Sequence, residues 1–201
     1  MNFETVKQNL LSRGYAVSCF DTAKEAADYL DNVIDQKTVG MGGSVTLGQM
    51  NIYDRLSTHN QVYNHARLSE GQTPRDIFPL AARAQIYLSS VNGLSETGEI
   101  VNIDGNCNRV SAMSFGHEKV YLIIGINKLA PDYDAALWRA RNIAAPKNAQ
   151  RLHRNTPCAK NADRCYNCQS PERICRALSV FWEKPNGCDF EIVLIGEELG
   201  Y

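Results

Sequence analysis

The sequence predicts an α/β fold built on a largely parallel sheet, and three observations carry that expectation. Segments of helical period alternate with short strand-like runs through most of the chain. The run KVYLIIGI at 119–126 is apolar almost throughout, as in a central strand covered on both faces. No linker, internal repeat or low-complexity tract divides the 201 residues, so one domain over 1–201 is expected.

The elements follow in order. Residues 2–13 carry Phe3, Val6, Leu10 and Leu11 at helical spacing, with Gly14 where a C-terminal cap belongs. YAVSCF (15–20) reads as a strand. TAKEAADYLDNVI (22–34) reads as a helix whose Thr22 and Glu25 form a capping box, each side chain satisfying a free amide at the helix start. KTVGM (37–41) is the next strand, a helical stretch spans 45–56, and QVYNH (61–65) is a strand. A polar loop over 68–76 leads into a short helix at 76–83. QIYLSS (85–90), GEIVNI (98–103) and the 119–126 run are strands, and PDYDAALWRARNIAA (131–145) is an amphipathic helix. The chain closes with a cysteine-rich loop and two strand-like runs, 177–183 and 189–199, around Pro185-Asn186-Gly187, which predicts a C-terminal hairpin.

Composition narrows the function classes. The net charge is −1 and the hydrophobic content 44%. There is no basic surplus of the kind that nucleic-acid phosphates require. No apolar run reaches the length of a membrane span. MNFETVKQNLLSRG lacks the basic head and apolar body of a signal peptide, which predicts a cytoplasmic protein. In a reducing compartment, clustered cysteines point to metal or redox use rather than a disulfide framework.

Three segments carry candidate chemistry. In VGMGGSVTLGQM (39–50), Gly42 and Gly43 permit close backbone approach and Ser44 can cap the following helix. Free amides there suit a small anion, a phosphate ester or a carboxylate. A tight turn that needs glycine for steric reasons is the other reading. The run 92–109 gathers Asn92, Ser95, Glu96, Thr97, Asp104, Asn106, Asn108 and Arg109. Beyond the end of a strand these residues face the crevice where α/β sheets bind ligands. Glu96 is then a candidate nucleophile or base, and Arg109 a bidentate anion holder. A plain hairpin with turns at Thr97-Gly98 and Asp104-Gly105 is the alternative.

The third segment is PCAKNADRCYNCQSPERIC, in which Cys158, Cys165, Cys168 and Cys175 stand at intervals of 7, 3 and 7. The central C-x-x-C lets two sulfurs face one ion. Ser170-Pro171-Glu172 reads as a helix start. A closed four-cysteine site suits zinc, and a [4Fe–4S] cluster also needs four thiolates, although these intervals differ from ferredoxin spacing. Four reduced thiols, or a C-x-x-C disulfide, is the reading without a metal.

The string SSVNGLSETGEIVNIDGNCNRVSAMSFGHEKVYLIIGINKL resembles the signature of the lactate-utilisation (LUD) family, and the resemblance extends from VGMGGSVTLGQM to PERIC. It departs at Leu94-Ser95, where the family reads Ile/Leu-Thr, and at Cys107, where it reads glycine. A side chain at 107 is expected to narrow the pocket or offer a thiol. The resemblance implies a three-layer, open, mostly parallel sheet similar to the ribose-phosphate isomerase and CoA-transferase superfamily. It raises the weight of Gly42, Gly43 and Ser44 as a ligand loop and associates the chain with L-lactate oxidation by a multi-protein iron–sulfur system. An accessory subunit of such a system is the first functional expectation, with iron–sulfur proteins as partners and a homodimer as one form of assembly. An acyl or CoA transferase, or a sugar-phosphate isomerase, using Glu96 in Ser95-Glu96-Thr97-Gly98 is the second. A structural zinc protein without catalysis is the third. The residues 157–176 read as a metal-binding insert on the family core.

Overall fold

The computed structural model describes residues 3–201. The first helix, α1 (Phe3–Ser12), buries Val6 and Leu10. Position 2, where its start was expected, lies outside the described residues. The strand β1 (Ala16–Phe20) is followed by α2 (Ala23–Val33), whose Thr22–Glu25 capping box forms as expected. β2 (Thr38–Met41) leads to α3 (Val45–Gln49) and α4 (Ile52–Leu56). One helix was expected over 45–56, but Asn51 takes a left-handed φ of 51° and breaks it in two.

β3 (Gln61–Asn64), α5 (Pro74–Ala82) and β4 (Ile86–Ser89) follow. β5 (Gly93–Ser95) and β6 (Ile100–Asp104) precede α6 (Asn108–Ser114), a short polar helix that the sequence pattern did not reveal. β7 (Lys119–Gly125) and β8 (Leu129–Ala130) come next. α7 (Tyr133–Arg139) runs through a π turn over 140–144 into α8 (Ala145–Arg151). The helix therefore continues past the predicted end at 145. Pro146 sits in the first turn after the π segment. α9 (Pro157–Asn161), β9 (Ala177–Phe181) and β10 (Asp189–Ile195) complete the chain.

Six strands form one wholly parallel sheet in the order β1-β10-β7-β4-β2-β3. Neighbouring strands β7 and β10 alternate between its faces. Val120, Leu122 and Ile124 of β7, with Phe190, Ile192 and Leu194 of β10, pack against α1, α6 and part of the second sheet. Tyr121, Ile123, Val193 and Ile195 pack on the other face with α2, α3 and α4. Both faces are thus buried, which explains why 119–125 and 189–195 are so apolar. A second, mixed sheet has the order β8-β5-β6-β9, and α7 lies over it.

The expected C-terminal hairpin does not form. β9 pairs antiparallel with β6 in the small sheet, while β10 inserts between β1 and β7, parallel to both. Residues 182–188 carry the chain from one sheet to the other. The reason is burial: from Phe190 on, β10 is buried on both faces and needs a sheet covered on both sides, which a terminal hairpin does not offer. No helix among the described residues is long and apolar enough to cross a membrane.

Candidate functional site

Three adjacent strands, β2, β4 and β7, end side by side, and their C-terminal extensions enclose a cavity of about 420 Å³. This is the position at which parallel α/β sheets place ligands, because the loops diverge there and leave a crevice. Gly43 and Ser44 line it after β2, Ser90 and Asn92 after β4, and Lys128 after β7. Asp104, Asn108 and Arg109 close one side, and Arg151, Arg154, Arg173 and Arg176 another. Six basic side chains thus face Asp104 and Glu172, so the interior favours an anion.

Of the residues singled out in the sequence, Gly43, Ser44, Asn92, Asp104, Asn108 and Arg109 meet at this cavity. Gly42 stands just behind it. A Cβ at 42 would lie 3.0 Å from Ser89 Oγ and from Tyr87 Oη, and 3.2 Å from Arg109 Cγ. The glycine is therefore needed for close packing beneath the site. Ser44 caps α3, its hydroxyl accepting from Leu47 N at 3.3 Å.

Arg109 is the organising cation, and its guanidinium is used differently from the bidentate holder expected. Nη1 donates to Ser90 O at 3.0 Å and Asn102 Oδ1 at 2.6 Å. Nη2 donates to Asn92 Oδ1 at 3.1 Å and Ile103 O at 2.9 Å. Nε faces Asp104 at 3.8 Å. With its donors directed at protein acceptors, Arg109 knits the ends of β4 and β6 together and gives a ligand its charge rather than its hydrogen bonds. Asp104 is similarly engaged. Its Oδ1 accepts from Asn106 N at 3.1 Å and Cys107 N at 3.0 Å, and its Oδ2 from Val110 N at 3.2 Å, which holds the turn into α6.

Lys128 was not recognised in the sequence as a site residue, and it lines the cavity. It is 4% exposed. Nζ donates to Thr46 Oγ1 at 2.8 Å and Ser90 Oγ at 2.7 Å. Those hydroxyls spend their own protons on Leu199 O at 3.2 Å and Ile123 O at 2.5 Å, so both must accept from the lysine. Burial, then the charges of Arg139 and Arg109, pull the ammonium down to about 7. Among the described residues no carboxylate bonds to it. The signal that could have found it is positional: GINK directly follows the most apolar strand, at the carboxyl end of a central strand. His65, also lining the cavity, is held below its usual value by burial and the nearby Arg151.

Glu96 is elsewhere. It sits in the turn between β5 and β6, at the far end of β5 from Asn92, and is not among the residues around the cavity. Its backbone N donates to Ala130 O at 2.7 Å and its carbonyl accepts from Asn9 Nδ2 at 2.7 Å. The carboxylate engaged in this string is Glu99, which accepts from Ser95 Oγ and Thr97 Oγ1, both at 2.5 Å, and pairs with Arg13 at 2.7 Å. Cys107 does not narrow the pocket either. It is exposed and takes a φ of 62° immediately before α6, a left-handed conformation that suits glycine.

The four clustered cysteines line one second cavity of about 240 Å³, together with Arg141, Arg173 and Arg176. All four are reduced and half-buried. Cys165 Sγ accepts from Asn167 N at 3.4 Å and Arg141 Nη2 at 3.8 Å, and Cys175 Sγ accepts from Arg173 Nη2 at 3.3 Å. Among the described residues no three ligating side chains already converge on one point. The sulfurs stand around a space. That space, the donors to sulfur and the adjacent guanidinium groups fit a thiolate-held, negatively charged group. The expected helix start at Ser170-Pro171-Glu172 is a turn, closed by Arg173 N on Ser170 O at 3.1 Å. The Arg173 and Arg176 side chains bind loop carbonyls of residues 168, 171 and 175 and hold the segment out of a helix.

The family profile described as LUD domain matches residues 3–195 of the chain. No curated protein matches it. Among solved structures, a DUF162 family protein from Deinococcus radiodurans is similar with a TM-score of 0.51 at 11% identity, over 96% of this chain and 96% of that one. That likeness shows the fold. Ribose 5-phosphate isomerase A from Neisseria gonorrhoeae matches at 14% identity and a TM-score of 0.34, over 54% of this chain and 53% of its own.

Proposed function

Because the chain belongs to the LUD domain family, we propose that it binds a small anion, a carboxylate or a phosphate ester, at the ends of β2, β4 and β7, and serves as an accessory subunit in L-lactate oxidation. The observation that carries the anion site is Lys128, a buried amine with two hydroxyl partners and, among the described residues, no carboxylate, in a cavity rich in arginine. A buried charge without an ionic partner is costly, and a bound anion would offset that cost. Arg154 lines the cavity with no hydrogen bond or ion pair of its own side chain among the described residues, which leaves it free for a ligand. A transferase or isomerase working through Glu96 is disfavoured by distance, since that carboxyl does not reach the basic cavity. The test is calorimetric titration with inorganic phosphate and with L-lactate. Saturable binding that Lys128→Met removes and Glu96→Gln leaves unchanged supports the reading. Binding that survives Lys128→Met and disappears in Glu96→Gln overturns it.

The cysteine cavity favours a second element of the same reading, a group held by Cys158, Cys165, Cys168 and Cys175. A zinc ion with Zn–S bonds of about 2.3 Å would have to draw all four sulfurs together. An iron–sulfur cluster would fill the space between them, and the guanidinium groups would balance its charge. We therefore favour iron–sulfur, an electron-carrying group in keeping with an oxidation system. Iron and acid-labile sulfide in protein purified without oxygen would support this. One zinc per chain would make the segment a structural clamp instead.

A further inference from the structure

We propose that the group held by the four cysteines completes the anion site, by fixing Arg173 and Arg176 in the wall that the two cavities share. The inference rests on the reading of the cysteines given above and extends it to the ligand.

Arg173, Ile174 and Arg176 line both cavities. Arg173 is tied to the cysteine side of the wall. Its guanidinium donates to Cys168 O at 2.9 Å, Cys175 O at 3.1 Å and Cys175 Sγ at 3.3 Å. The same strip is tied to the anion side. Arg176 N donates to Asp104 O at 2.9 Å, and its side chain donates to Pro171 O at 2.7 Å. Ile174 seats against Gly105 so closely that a Cβ at 105 would lie 2.9 Å from Ile174 O. Asp104 holds the turn that leads to Arg109. A continuous run of bonds and contacts therefore joins the sulfurs to the residues that face the ligand.

The segment 163–176 has no regular secondary structure. Ordering such backbone costs about 1–2 kcal/mol per residue, and no helix or strand ladder within the segment offsets it. The protein bonds from 170–172 back to 155 are Ser170 Oγ to Asn155 O at 3.0 Å and Asn155 N to Glu172 Oε2 at 2.9 Å. A group ligated at 158, 165, 168 and 175 ties both ends and the middle of the segment to one point. Filled, it holds the two guanidinium groups at the mouth of the anion cavity. Empty, it leaves them on a loose strand. Linkage makes the effect mutual: whatever the filled centre does for anion affinity, the bound anion does for retention of the centre.

The experiment uses inorganic phosphate as the probe and protein whose iron, sulfide and zinc have been quantified. Phosphate affinity is measured by calorimetry on loaded protein, on the same protein stripped by a chelator under reduction, and on Cys165→Ser. Far-UV circular dichroism confirms that each remains folded. In a parallel measurement, the rate at which a chelator removes the metal is followed with and without saturating phosphate. We expect stripping to weaken phosphate about 5- to 100-fold and phosphate to slow metal loss. In Arg173→Gln/Arg176→Gln, phosphate should bind weakly whether or not the centre is filled. Equal phosphate affinity for loaded and stripped protein, with metal loss indifferent to phosphate, overturns the coupling and leaves the metal reading standing. Protein that carries no metal and takes none on anaerobic reconstitution overturns the metal reading and the coupling with it.

Discussion

Lys128 Nζ lies 2.7 Å from Ser90 Oγ, and that hydroxyl donates its own hydrogen bond to Ile123 O. The carboxyl ends of β4 and β7 are joined through this pair, and among the described residues no opposite charge is bonded to the amine. The arrangement exchanges stability for a binding group, and both effects can be measured.

Ligand binding should depend on pH through this amine. An anion prefers the ammonium, so affinity for L-lactate, whose carboxylate is ionised throughout, should fall as pH rises through about 7. Calorimetric titrations between pH 6 and 8.5 would show the loss. Affinity that is flat over this range would remove Lys128 from the ligand's contacts.

Stability should move the other way. The folded-state value, about 7, lies below the 10.5 of an unfolded lysine. The unfolded chain therefore binds more protons between those limits, and stability rises with pH across them. The cost of burying the charge is fully present below about pH 7 and fades above it. Urea unfolding of Lys128→Met should show higher stability than the parent at pH 6.5, by roughly 1 kcal/mol or more, with the gap narrowing by pH 9. A variant less stable than the parent at both values would contradict this.

Arg109 should behave as a structural residue first. Arg109→Met leaves Asn102 Oδ1 and the carbonyls of Ser90 and Ile103 without this donor. A loss of about 3 kcal/mol or more is expected in denaturant unfolding. Arg109→Lys should recover little of it, because a lysine cannot reproduce the planar fork. Full recovery by lysine would mean that the charge alone matters.

Cys107→Gly should stabilise the protein. The residue holds φ 62° before α6 and is exposed, so its removal relieves left-handed strain without opening a cavity. A gain of about 0.5–1 kcal/mol is expected, net of the extra entropy that glycine brings to the unfolded chain. A melting temperature that is unchanged or lower would show that the backbone at 107 carries no strain.

Much of the architecture was legible in the chain. The apolar run at 119–125 announces a strand covered on both faces, and the Thr22–Glu25 box announces the start of α2. The polar run 92–109 announces a hairpin followed by a turn, both of which form. These features depend on neighbours in sequence, and local chemistry is enough to read them. Where readings failed, partners were distant. Asn51 breaks a periodic helix, and the two final strands part company because each is recruited by a different sheet.

The site divides in the same way. By itself, the sequence determined which segments carry polar and ligating residues: the glycine turn at 42–44, the run from Asn92 to Arg109 and the four cysteines. Tertiary structure decided how they are used. It set Lys128 between hydroxyls from α3 and from the end of β4, directed the donors of Arg109 inward, held Glu96 away from the basic cavity, and placed the cysteines behind the same wall as the anion site. The physical reason is that charge, burial and hydrogen-bond supply are properties of a place. In this fold that place is assembled from the ends of strands far apart in the chain.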